Sequence, residues 1–331
     1  MKKIKTGVVG VGALGKHHLK WYNQLEQSEL IGFYDIDSDT REKYAREHDV
    51  TAFESLEEFA KNVEAASIVV PTTAHFETAS FLLENDCHLL IEKPVTATTE
   101  EAAKLDAIVR KSGKVVTVGQ IERFNPAVVA LREKKISPTF IEAHRLAAFD
   151  MRGTDVAVIS DLMIHDIDLV LMLVDSRVTD IQASAVDVIS DRADIANARI
   201  TFENGAVAKL TASRISLSPM RKLRIFQKSG YYSLDLAKKQ ADFYTLATDK
   251  DETGGMKIPL GKSGKELSYI KITDSGKDML GEELSSFLNS IINQTPPDVP
   301  VIEAQEALRV ALDIEKIAQQ SLKKVVESGS L

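Results

Sequence analysis

Apolar positions along the first 120 residues follow two alternating periods. Short runs rich in branched residues, at 4–9, 30–34, 67–70, 88–91 and 115–118, predict strands. Between them, 14–27, 40–48, 75–85 and 99–111 carry apolar residues at helical spacing with charges on the opposite face. Strand and helix in strict alternation imply parallel strands joined by right-handed crossovers. Thr99-Glu100-Glu101 gathers acids where one helix starts, and Ser112-Gly113 ends it.

After Gln120 the rhythm changes. A helical stretch at 126–135 leads to an extended run at 139–148, and a strongly apolar helix is predicted over 161–174. From 178 to about 272 alternating segments dominate, at 181–188, 196–202, 206–213, 223–227 and 231–236, with turn signals such as Glu203-Asn204-Gly205 and Ser229-Gly230 between them. They predict one large, open, mostly antiparallel sheet, whose outer side or edge must be covered, so the chain is expected to self-associate. Helical stretches at 281–293 and 302–326 close the chain around the Thr295-Pro296-Pro297 break.

The length of 331 residues suits two domains at roughly 150 residues each. The change of rhythm sets the expected boundary: 1–120 as an α/β parallel-sheet domain, and 121–331 as an α+β domain for substrate binding and oligomerisation, whose final helices can pack back on the first. Lys and Arg number 41 against 49 Asp and Glu, a net charge of −8 that speaks against a surface built to coat nucleic acid or anionic lipid. The single cysteine, Cys87, can make no intramolecular disulfide and no cysteine metal cluster, which points to a reducing interior such as the cytoplasm. No apolar run approaches the ~18 residues of a membrane span.

The chemistry begins at Gly10-Val11-Gly12-Ala13-Leu14-Gly15, a G-x-G-x-x-G pattern that follows the first predicted strand and opens a helix. Gly10 permits the tight turn, Gly12 lets the backbone approach a pyrophosphate, and Gly15 lets helix and sheet pack closely. Backbone amides near Ala13 and Leu14 then face the negative charge. Asp35, 20 residues past Gly15 at the end of the next strand, is placed to accept hydrogen bonds from a ribose 2′-hydroxyl and to repel a 2′-phosphate. NAD is therefore expected over NADP. Asp37 reinforces that choice, while Arg41 leaves dual use open. The neighbouring His17-His18 reads as the exposed first turn of the cofactor helix.

Glu92-Lys93-Pro94 lies just past another strand, at the carboxyl edge of the parallel sheet where such folds bind ligands. With the glycine loop, the Pro71 turn and Asp161-x-x-x-His165, it makes the chain resemble the Gfo/Idh/MocA oxidoreductases over nearly its whole length. The segments 119–126 and 161–168 are most similar to the branch that oxidises the C3 hydroxyl of UDP-N-acetylglucosamine with NAD. The resemblance implies an N-terminal Rossmann domain, a homodimer or homotetramer, and catalytic roles for Lys93, Asp161 and His165. It also implies cofactor contacts from Pro71, Thr72, His75, Glu92 and Gln120.

The residues themselves agree with an alcohol oxidation. Such a reaction needs a hydride acceptor and a group to take the hydroxyl proton, and either Lys93 or His165 can do the latter. On a regular helix Asp161 and Asp168 lie on the His165 face and can orient its ring. A zinc reading of this cluster is weaker, since catalytic zinc usually takes more histidine or cysteine ligands. A nucleotide-sugar diphosphate needs local cations, for which Arg123, Arg145 and Arg152 are candidates, with Asn125 as a sugar contact. Alternatives are a dehydrogenase of another sugar or polyol, a glycosidase that uses NAD transiently, and a non-catalytic cofactor sensor.

Overall fold

A computed structural model describes residues 3–132, 134–149, 156–246 and 255–327. Contacts divide the chain into two compact units: Met1–Phe124 with Asp278–Leu308, and Asn125–Lys277 with Arg309–Leu331. Among the described residues no helix is long and apolar enough to cross a membrane.

The first unit is built on a five-stranded parallel sheet in the order β2-β1-β3-β4-β5, from β1 (Ile4–Val9), β2 (Ser28–Tyr34), β3 (Ala65–Ile68), β4 (His88–Glu92) and β5 (Val116–Gly119). A single parallel bridge, Phe33 to Ala52, extends it beyond β2. Gly32 makes this possible, because a side chain there would overlap the Thr51 carbonyl. The crossover helices are α1 (Gly15–Gln24), α2 (Ser38–His48), α3 (Leu56–Asn62), α4 (His75–Glu84) and α5 (Thr99–Ser112). Helix α5 starts on a reciprocal capping box between Thr98 and Glu101 and ends on left-handed Gly113, which satisfies the end groups a helix leaves open.

Residues 278–308 group with this unit through concrete bonds. Val118 N donates to Val299 O at 3.0 Å, and Thr117 bridges to Pro300. Helix α8 (Met279–Asn293) sends Leu284, Phe287 and Leu288 into the same core as Val8, Leu19, Tyr22 and Phe33.

The second unit carries nine strands in the order β13-β14-β12-β11-β10-β6-β9-β8-β7. They are β6 (Phe140–Leu146), β7 (Val178–Val186), β8 (Ile195–Phe202), β9 (Val207–Ser213), β10 (Met220–Gln227), β11 (Gly230–Asp235), β12 (Gln240–Leu246), β13 (Met256–Pro259) and β14 (Glu266–Ile272). All neighbours are antiparallel except β6 and β9. Burial alternates along most strands. Ile141, Leu223, Ile225, Leu234 and Phe243 are buried, while intervening residues stay partly exposed, as a sheet covered on one face requires.

Two expected helices differ. The stretch at 126–135 keeps only α6 (Pro126–Val129), begun by Asn125 accepting from Ala127 N and by Pro126 in the first turn. Pro138 lies downstream and disfavours helix in the residue before it. The helix expected over 161–174 begins as a π turn, Ile159–Met163, and becomes α-helical only as α7 (Ile164–Val174). The last helix, α9 (Val301–Glu327), is continuous.

Candidate active site

Each glycine of the first loop meets a different constraint. Gly10 has a positive φ of 86°, and a Cβ there would sit 2.6 Å from the Val69 carbonyl oxygen. A Cβ on Gly15 would overlap the Gly10 carbonyl. Gly12 is exposed and a Cβ on it would meet no atom within 4 Å, so the fold itself does not require glycine there. A ligand lying on the loop would. Helix α1 has no side-chain cap at Leu14 and no acid in its first turn, leaving its amides and positive dipole end for an anion. The loop therefore fits the dinucleotide expected of it.

Asp35 accepts from Val11 N at 2.8 Å and from Asp37 N at 3.0 Å, so its carboxylate is held beside the glycine loop. Asp37 instead caps α2 through Thr40 N, and the Thr40 hydrogen bonds hold its carboxyl below the usual range. Arg41 is committed as well. Its Nη1 donates to Asp35 O at 2.7 Å and its Nη2 to Glu54 at 3.3 Å, which favours NAD over a 2′-phosphorylated cofactor.

At the carboxyl end of β4, Glu92 and half-buried Lys93 lead into a cis bond to Pro94. Glu92 pairs across to Gly119 of β5, where a side chain would lie 3.1 Å from the Glu92 carboxylate. The missing side chain at Gly119 makes room for that carboxylate. His18 corrects the sequence reading: only His17 is exposed, while His18 is 1% exposed and turned inward. Its Nε2 lies 3.1 Å from Glu92 Oε1, and its Nδ1 lies 3.0 Å from Ser67 Oγ, which in turn lies 2.7 Å from Tyr22 OH. The signal was present. Gly15, His18, Leu19 and Tyr22 are spaced i, i+3, i+4 and i+7, the buried stripe of an α-helix.

The remaining first-unit candidates separate. Pro71 is exposed and Thr72 half-buried, on the turn after β3. Gln120, just past β5, is buried, and its Oε1 has no hydrogen-bond partner among the described residues, which suits an acceptor left for a ligand. His75 is a correction. It is buried, with Nδ1 2.9 Å from Pro94 O and Nε2 2.9 Å from Val70 O, so it braces the two loops instead of facing a cofactor. Burial pushes its pKa down against those bonds. Arg123 is also corrected. Its guanidinium is buried, pairs with Glu303 at 2.6 Å and donates to Asp298 O at 3.1 Å, which commits it to holding residues 298–303 in place.

In the second unit, Asp161 sits in the π turn and His165 in the first turn of α7, both partly exposed, while Asp168 is buried. The π turn alters the regular i, i+4 relation between Asp161 and His165 that the sequence implied. Such turns recur at functional positions. Next to His165, Asp166 is clasped by Arg145 of β6 through Nε at 3.1 and 3.2 Å and Nη2 at 2.8 Å, with side chains 4% and 3% exposed. Arg145 thus anchors α7 and is not a cation for a diphosphate. Asn125 is buried, caps α6 and donates to Leu236 O at 2.9 Å, which corrects its assignment as a sugar contact. Arg152 lies outside the described residues.

Comparison with known proteins follows the same division. Residues 4–120 match the oxidoreductase family with an NAD-binding Rossmann fold, and residues 145–233 match the GFO/IDH/MocA C-terminal domain. The UDP-N-acetylglucosamine 3-dehydrogenase of Acidithiobacillus ferrooxidans is 35% identical over 325 residues, covering 98% of this chain and 100% of its own. A solved structure of that organism's UDP-N-acetylglucosamine 3-dehydrogenase GnnA superposes with a TM-score of 0.87 at 34% identity, over 97% and 99% of the two chains. A levoglucosan dehydrogenase solved with NADH and levoglucosan shares the fold, with a TM-score of 0.82 at 17% identity over 96% and 98% of the chains. By its two matched segments and its end-to-end likeness to a dehydrogenase, the chain belongs to the Gfo/Idh/MocA family of NAD-binding oxidoreductases.

Proposed function

We propose that the protein oxidises the C3 hydroxyl of UDP-N-acetylglucosamine to the 3-keto sugar. The observation that carries this reading is 35% identity, end to end, with an enzyme named for that reaction. Bound NAD supplies the hydride acceptor. The glycine loop and the amides at the start of α1 hold its pyrophosphate, and Asp35 holds its ribose. Pro71, Thr72, Glu92 and Gln120 would supply further contacts to it. Lys93 takes the hydroxyl proton, and Asp161 and His165 form the second catalytic group. Arg152 stays the candidate cation for the diphosphate.

The test is NADH formation followed at 340 nm with UDP-N-acetylglucosamine, N-acetylglucosamine and inositols. Turnover of the nucleotide sugar, slower with NADP than with NAD, is the expected result. Turnover confined to free sugars or inositols would move the substrate to another class within the family. Release of free sugar without net NADH would mark a glycosidase.

We also propose a homo-oligomer formed on the outer face of the nine-stranded sheet. Phe140, Phe226, Tyr231, Tyr244 and Tyr269 form a ladder across five strands, with successive rings stacked at 4.9–5.7 Å and each only half-buried. Each ring keeps part of its surface open to a partner, so a second copy is the natural cover. Light scattering is expected to give a multiple of 36.4 kDa for the wild type and a smaller species for Tyr231→Glu. A wild-type monomer at micromolar concentration would sink the idea.

A further inference from the structure

The chain Tyr22, Ser67, His18, Glu92 runs through the interior of the first unit and ends at a carboxylate that accepts from the backbone N of Lys93, and no step described above uses its first three members. Its direction can be worked out from donors and acceptors. An ionised carboxylate only accepts, so the proton at the His18–Glu92 contact sits on Nε2. The Tyr22 hydroxyl stays protonated, since burial drives its pKa upward, with a smaller upward push from the Glu283 charge. Its hydrogen is then available to Ser67 Oγ, and the Ser67 hydrogen to His18 Nδ1. The tautomer follows from these neighbours.

Glu92 thus accepts from His18 Nε2 and, through Oε2, from Lys93 N at 3.2 Å. Burial works to raise its pKa, but the His18 bond and the neighbouring charges outweigh it and leave the carboxyl lowered. Its surroundings are His18 from α1, Gly119 from β5, Lys93 beside it and His75 from α4 at longer range. Of these, His18 is bonded to the carboxylate and also anchored from behind, by Ser67 and Tyr22.

We propose that His18 is a positioning residue. It fixes the Glu92 carboxylate against the Lys93 backbone N, and through it the place and electrostatic setting of the lysine. This rests on the reading of Lys93 as the proton acceptor. A misplacement of about 1 Å in a reacting group can cost 10²-fold, so removing the donor should act on kcat rather than on cofactor affinity.

The experiment compares His18→Leu, His18→Gln and His18→Asn. His18→Leu is expected to lower kcat by about 10- to 100-fold with little change in the KM for NAD. His18→Gln, whose amide nitrogen falls near the Nε2 position, should recover most of kcat. His18→Asn, which reaches only toward Nδ1, should not. If His18→Leu fails to fold, the Gln and Asn pair carries the comparison.

A readout independent of turnover is nitrogen-15 NMR of histidine-labelled protein. It should show Nε2 protonated and Nδ1 bare at His18, with the Nε2 signal displaced in Glu92→Gln. Failure of the wild type to oxidise any sugar would count against the catalytic reading but leave this measurement intact. A proton on Nδ1 with Nε2 bare, or a wild-type kcat in folded His18→Leu, overturns the proposal.

Discussion

Lys93→Met is expected to lower kcat for the nucleotide sugar by about 10²- to 10⁴-fold, the range a positioned acid–base group contributes. Methionine keeps an unbranched stem of similar length and removes the side-chain nitrogen proposed to accept the hydroxyl proton. Lys93 stands at the carboxyl end of β4, the edge at which parallel sheets of this kind bind ligands. NAD affinity should hold, because the proposed pyrophosphate and ribose contacts lie on Gly10 to Gly15 and on Asp35, on other elements. Steady-state kinetics paired with calorimetric titration of NAD checks both halves. A variant within about threefold of wild type in kcat would transfer the proton acceptor to His165.

The sequence made the first unit legible because its signals are local. A glycine required by a positive φ, as at Gly10, and a capping box, as at Thr98 and Glu101, are written within a few residues. The single parallel pair inside an antiparallel sheet, β6 with β9, is a matter of long-range pairing that alternation cannot report. The π turn before α7 was likewise hidden, since helical periodicity presumes 3.6 residues per turn.

The candidate site divides on the same principle. Motif positions such as Gly12, Asp35 and Lys93 are recognisable from spacing, but the side chains that support or neutralise them come from far away. Arg123 meets Glu303 across 180 positions, and Asn125 meets Leu236 across 111. Nothing near Arg123 in the chain marks it as a buried structural cation. His18 is the instructive exception: it was read as exposed, although its place in the i, i+3, i+4, i+7 stripe was enough to mark it as buried. A polar residue in a buried stripe must find partners, and the nearest strand ends supply Ser67 and Glu92.

Asp166→Ala should destabilise the second unit by about 3–5 kcal/mol, because it leaves the Arg145 guanidinium buried without its carboxylate. The pair is bidentate and nearly solvent-free, with side chains 3% and 4% exposed, so water cannot replace the lost oxygens without opening the contact between β6 and α7. For a unit of this size the loss corresponds to a melting shift of about 6–20 °C. Removing both charges together, in Arg145→Met with Asp166→Leu, should recover most of the stability, since neither side chain then carries a desolvation cost. Differential scanning calorimetry of the single and double variants separates the cases. If the double variant melts as low as Asp166→Ala, packing around Asp166 is the source of the effect. If it melts near wild type but turns over more slowly, the Arg145 clasp holds the first turn of α7, and with it His165, in a catalytically competent place.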